Sequence, residues 1–139
     1  MNIPATVLIG LFSSLAVAAC TTTPTQETRS PRAQRELAEA LAGRTQGPPV
    51  RCLPNYRADQ MQVIDDYTIL FRDGRTIYVQ NPRGGCLGLG GGSRTLVTRQ
   101  FGTSQLCDGD INHTVDLTSG MQGGSCVFGP FVPYTKPRS

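Results

Sequence analysis

Asp108, Asp110 and Asn112 stand at alternate positions, the spacing that opens a calcium-binding loop. Such a loop wants Gly at its sixth position and Glu at its twelfth. Here those places hold His113 and Ser119, so the spacing implies no metal, and no cofactor is expected. His113 is the only histidine. Any Ser–His–Asp or Cys–His nucleophile would have to use it, and no Gly-x-Ser-x-Gly elbow is present. His113 also falls in the alternation Ile111, His113, Val115, Leu117. That alternation points its ring at a core face, where it should be structural.

Three further groups invite chemistry. Gly84 to Arg94, rich in glycine around Cys86, has the composition of a phosphate-binding loop. It lacks the Gly-Lys-Ser/Thr ending, and no helix start follows. A loop held by Cys86 is the expectation. Asp65-Asp66 could act as paired carboxylates, but adjacent acids in a turn tend to point apart. Tyr67, Tyr78 and Arg99 could together form a recognition patch for glycan or peptide, in competition with ordinary sheet surface.

The cysteines set the redox reading. After Cys20 there are four: Cys52, Cys86, Cys107 and Cys126. No CxxC pair occurs, which argues against zinc and thioredoxin-like chemistry. An even count in an exported chain reads as two disulfides, with three possible pairings. The expected pairing is Cys52–Cys126 with Cys86–Cys107. In a nearly closed sheet the first and last strands lie close, so the outer bond would clasp the ends.

Export itself is read from the start of the chain. Ile3 to Ala19 is an apolar run without charge, ending in Leu15-Ala16-Val17-Ala18-Ala19-Cys20. Small residues before a cleavage point mark a signal peptide, although Met1-Asn2 supplies no Lys or Arg. Val-Ala-Ala-Cys resembles the bacterial lipoprotein signal. The resemblance implies cleavage after residue 19 and acylation of Cys20, with two or three acyl chains giving a stable membrane tether. Thr21, where an Asp would mark inner-membrane retention, implies the outer membrane, on its periplasmic side.

The sequence has 139 residues, of which 120 follow the expected leader 1–19, a length that suits one domain behind a leader. The formal net charge is +3, and the bases are almost all Arg. They are scattered, with no basic run, so nucleic acid is not an expected partner. Trp is absent, so the core is modest and cross-links help it.

The elements that must position these residues follow in order. Residues 20–32 read as a flexible lipidated tether. Residues 33–43 read as a helix, capped by Ser30-Pro31, with Ala33, Leu37 and Leu41 on one stripe that suits docking on the domain or lying near lipid. Residues 44–50, with Gly47-Pro48-Pro49, read as a linker. Residues 51–139 read as the disulfide-linked β domain. Strands are expected at 61–64, 67–71, 76–80, 95–101, 104–107, 111–117 and 126–132. A three-residue Arg72-Asp73-Gly74 turn would set Ile69 opposite Ile77 and collect Tyr67, Ile69, Phe71, Ile77 and Val79, with Met61 and Val63, on one buried face. The expected fold is mainly β: a small antiparallel barrel or sandwich of about six short strands, one N-terminal helix and two disulfides.

Several motifs occur in a fixed order: a Cys opening the domain, Val63-Ile64-Asp65-Asp66-Tyr67-Thr68-Ile69-Leu70, Gly85-Cys86-Leu87, Leu106-Cys107-Asp108-Gly109-Asp110-Ile111 and Ser125-Cys126. This order resembles a bacterial envelope family, the domain of unknown function numbered 6491, over about residues 51–131. The resemblance implies an exported, cysteine-paired domain and carries no activity with it.

The expected function is that of a structural or protein-interaction module of the envelope, joined to the membrane through acylated Cys20. Its partner would be an envelope protein or a glycan. A periplasmic glycan- or peptide-binding protein, or an inhibitor, is the alternative. A hydrolase is the third reading and requires His113 in a pocket beside an Asp and a nucleophile.

Overall fold

The structure, a computed structural model, describes residues 29–54, 58–100, 102 and 104–138. The expected signal peptide and Cys20 lie outside them. Helix α1 spans Pro31–Leu41. It starts two residues before the expected 33 because Ser30 caps it: the Ser30 Oγ accepts from Ala33 N at 3.2 Å, and Pro31 occupies the first turn. It ends before Gly43, whose φ is +66°, so the chain turns at the residue type best suited to that conformation.

Eight strands follow among the described residues: β1 Thr45–Gln46, β2 Met61–Asp65, β3 Thr68–Asp73, β4 Thr76–Gln80, β5 Arg94–Thr98, β6 Ile111–Asp116, β7 Gln122–Val127 and β8 Phe131–Thr135. They form a five-stranded antiparallel sheet, β1-β8-β4-β3-β2, and a three-stranded one, β5-β6-β7. The sheets are not closed into a barrel. The strand count exceeds the expected six for two reasons. The expected linker contains β1, and its Gly47 and Val50 amides donate to the carbonyls of Pro133 and Phe131. The expected last strand divides into the end of β7 and the start of β8. By contrast, expected strand 104–107 is reduced to one bridge, Cys52 to Cys107.

The β3–β4 register differs from the expected one. Ile69 faces Gln80, Phe71 faces Tyr78 and Arg72 faces Ile77. The connection is a two-residue turn, Gly74-Arg75, with Gly74 at φ +55° in its first central position. The physical reason is that this sheet is buried on both faces. Ile69 and Phe71, with Met61 and Val63 of β2, look toward the larger core. Leu70, Ile77 and Val79 look the other way and receive Ala33, Leu37 and Leu41 of α1. A rule that gathers all apolar residues on one face cannot choose the register of such a sheet.

The larger core sits where the five-stranded sheet meets the inward face of the three-stranded one. Phe71, Phe128 and Phe131 meet edge to face there, with ring centroids 5.7 to 6.1 Å apart. Leu53, Leu89, Leu106, Cys86 and Cys126 complete it. The disulfides are Cys52–Cys107 and Cys86–Cys126, which corrects the expected pairing. The first pair is set by a local ladder: Leu53 N donates to Leu106 O and Asp108 N to Arg51 O. Cys126 could not clasp the domain ends, because the final strand is β8 and the sheets do not close.

Candidate interaction surface

Strand β6 turns out inverted. Asn112 and Thr114 are fully buried, whereas Ile111 is 56% exposed. Burial of the polar residues is possible because each finds a partner. The Asn112 amide donates to Asp110 O at 3.1 Å and accepts from Thr98 Oγ1 at 2.5 Å, and Thr114 Oγ1 donates to Gly124 O. The expected core face of β6 therefore points outward, His113 included.

That outward face continues across the sheet. Val97 of β5 lies opposite His113, and Thr95 opposite Val115. Ser125 and Val127 of β7 lie opposite His113 and Ile111. Valine, isoleucine and threonine thus pave an open surface, with Val97 42% exposed. Cross-strand pairing of β-branched residues accounts for the stability of the sheet, but not for an apolar face turned to water. At one end of this face, Arg99, Gln100, Gln105, Asp110, Ile111 and His113 line a cleft of about 330 Å³.

His113 Nδ1 hydrogen-bonds Ser125 Oγ at 2.9 Å within this open region. The histidine is therefore half-exposed beside a hydroxyl, and its expected core placement is corrected. A catalytic triad would use Nδ1 for an orienting carboxylate and Nε2 for the nucleophile. Here Nδ1 meets the hydroxyl. Asp110, which lines the same cleft, spends Oδ2 on Cys107 N at 2.7 Å. The arrangement offers polar contacts to a ligand rather than a poised nucleophile.

The other sequence candidates separate. Asp65 takes Arg29 Nε on Oδ2 and Tyr67 N on Oδ1, at 2.7 and 2.8 Å. Asp66 instead accepts Gly88 N and Gly90 N at 3.0 and 2.7 Å, and its carbonyl accepts Cys86 N. The two carboxylates do not cooperate. The glycine-rich connection is a strapped loop whose amides serve Asp66. Gly85, at φ +74°, is required because a Cβ there would lie 2.6 Å from the Tyr67 ring.

Tyr67 borders a cavity of about 620 Å³ between the start of α1, the β2–β3 turn and this loop, together with Arg29, Asn81 and Pro82. Tyr78 packs on the phenylalanine core. Burial first, and then Asp73, holds its hydroxyl above the usual tyrosine pKa. Arg99 belongs to the cleft beside His113. The expected Tyr67–Tyr78–Arg99 patch is not formed. Asp108 pairs with Arg83 at 2.6 Å and Asn112 is buried, so the calcium-like spacing dissolves as well. Among the described residues no group of three His, Cys, Asp or Glu could hold a metal, and no helix is long and apolar enough to cross a membrane.

Sequence reasoning missed Val97, Val115, Ser125 and Val127. Their signal was available only as a choice between the two faces of β6, and the partners that decide it are Thr98 and Gly124. Comparison with protein families, with curated proteins and with solved structures finds no match.

Proposed function

We propose that this chain is a lipid-anchored protein-interaction module of the bacterial envelope, periplasmic and tethered through acylated Cys20 at the outer membrane, and a member of the envelope family its cysteine order resembles. The observation that carries the interaction reading is the open face of β5-β6-β7. Ile111 and Val97 stand exposed on a disulfide-supported sheet, where apolar surface in water favours a partner. The tether reading is supported by the apolar run that ends at Cys20.

A second reading has its own support. The cleft holding Arg99, His113 and Asp110 adjoins the same face and suits a peptide or glycan. A hydrolase has less, since the His113–Ser125 pair lacks a carboxylate bonded to the ring among the described hydrogen bonds.

Photo-crosslinking in envelope membranes tests the proposal. A benzophenone side chain in place of Val97 should give a discrete protein adduct, and one in place of Arg72, on the other sheet, should not. An adduct to peptidoglycan fragments would favour the second reading. No adduct from Val97 under conditions where Arg72 also gives none would overturn the interaction surface. Cys20→Ser should abolish acyl labelling. Intact mass showing residues 1–19 still attached would overturn the tether.

A further inference from the structure

The most exposed large apolar side chains outside the open sheet face are carried by turns around one loop. Tyr67, Leu87, Leu117 and Met121 are 38%, 56%, 64% and 70% exposed. Leu87 belongs to the glycine-rich connection, and the other three lie in turns bonded to that connection or continuous with such a turn. The Tyr67 turn is joined to it by the three amides that Asp66 receives. Leu117 N donates to Ser93 O at the end of the connection. Met121 closes the β6–β7 turn, its carbonyl accepting Asp116 N. The Arg94 side chain spans the same region, lying against Gly88 and Gly123. Single exposed apolar residues need no explanation, but four gathered on adjoining turns do.

Arg29, the first described residue, lies in this same region. Arg29 is bonded to Asp65, at the end of β2 next to the Tyr67 turn. Drawn out fully, the segment from Cys20 to Arg29 spans at most about 30 Å. An acylated Cys20 therefore keeps the Tyr67 and Leu87 end within reach of the lipid surface. The loop that presents Leu87 is held by the Cys86–Cys126 disulfide, so its placement is not left to a free segment. Arg32, largely exposed and paired with Glu36, stands beside this region on the cavity wall with Tyr67. Aromatic and aliphatic side chains flanked by Arg match the headgroup–acyl boundary of a bilayer.

We propose that the rim formed by Tyr67, Leu87, Leu117 and Met121 seats the domain on the lipid bilayer that carries its anchor. This rests on the acylated Cys20 of the function proposed above. It fixes orientation: ordered against the bilayer on this rim, the domain directs the start of β6, with Ile111 and the His113 cleft, away from lipid and toward a partner.

The chain contains no Trp, so a single introduced indole reports its own surroundings. Leu87→Trp, Met121→Trp and Ile111→Trp are made in the full acylated chain and reconstituted in phosphatidylethanolamine–phosphatidylglycerol vesicles, with and without acyl-chain-brominated phosphatidylcholine. Flotation of each preparation reports the anchor separately. Leu87→Trp and Met121→Trp should lose most of their emission to the brominated lipid, and Ile111→Trp should keep its emission. Because all three carry the same indole, an intrinsic taste of Trp for interfaces would quench all three and overturn the assignment. Chain that floats with no indole quenched overturns the seat and leaves the anchor standing. Chain that does not float overturns both.

Discussion

The side chain of Gln80 and the peptide of Gly129 bond each other twice. Gln80 Nε2 donates to Gly129 O, and Gly129 N donates to Gln80 Oε1, both at 2.8 Å. Gln80 is fully buried, at the end of β4 opposite Phe131. The pair replaces a missing piece of backbone ladder and holds the turn between Phe128 and Phe131, two of the three core rings. Gly129 itself is close to Asn81 O, 3.1 Å from where a Cβ would sit.

Gln80→Leu keeps the volume and removes both bonds. Two buried backbone groups are then left unpaired, each costing on the order of 1–3 kcal/mol, so a loss of about 3 kcal/mol is expected. Urea unfolding with the disulfides intact measures it. An unchanged midpoint would show that water replaces the amide.

Non-reducing peptide mapping should find Cys52 joined to Cys107 and Cys86 joined to Cys126. Any Cys52–Cys126 peptide contradicts the fold. The Cys86–Cys126 bond closes a loop with a sequence separation of 40. In the chain-entropy model its removal by paired alanines costs about 4 kcal/mol. The variant should unfold at clearly lower denaturant and lose the packing of the glycine-rich loop.

His113→Gln should cost less than about 1 kcal/mol, the range of a cross-strand side-chain pair, because the ring is half-exposed and its described bond is to Ser125. A loss of several kcal/mol would restore a core role for the histidine. The same variant, probed for adducts from Val97, reports whether the cleft contributes to partner binding.

Asp116 caps the β6–β7 turn, accepting Thr118 N, Ser119 N and Ser119 Oγ on one oxygen at 2.8 to 3.0 Å. The Ser119 amide first, then the Thr118 amide and the Ser119 hydroxyl, hold its carboxyl below the ordinary value of 3.8. A depressed folded pKa stabilises the fold above the unfolded pKa, and that contribution disappears as pH falls through the folded one. Asp116→Asn keeps an acceptor and removes the titration. Its stability relative to the parent should therefore improve as pH drops below about 4, the usual carboxylate range. Acid unfolding followed by circular dichroism measures this, and parallel curves for the two proteins would refute it.

Some of this fold was legible locally. The Ser30-Pro31 cap and the Ala33, Leu37, Leu41 stripe specify α1, because capping and helical periodicity involve residues within a few positions of one another. The strands β2, β3 and β4 are likewise bounded by Asp65-Asp66 and Asp73-Gly74, so their existence follows from composition. The even cysteine count matches two disulfides. For the site, the sequence alone singled out His113 but set it on the wrong face.

What tertiary structure decided is which side of each strand is inside and which cysteines meet. Burial of β3 and β4 on both faces comes from α1 on one side and the phenylalanine core on the other, and that selected the Gly74-Arg75 turn over the alternatives. The orientation of β6 depends on Thr98 and Gly124, which satisfy Asn112 and Thr114 only after three strands have paired. Apolar periodicity reads Ile111, His113 and Val115 as core because it has no knowledge of those hydrogen bonds. Cysteine proximity is equally non-local: the ladder between residues 51–53 and 106–108 brings Cys52 to Cys107, and the packing of the glycine loop against β7 brings Cys86 to Cys126. Local sequence determines which segments can be helix or strand, whereas partners distant in the chain determine which polar atoms can afford to be buried, and hence which surface is left for binding.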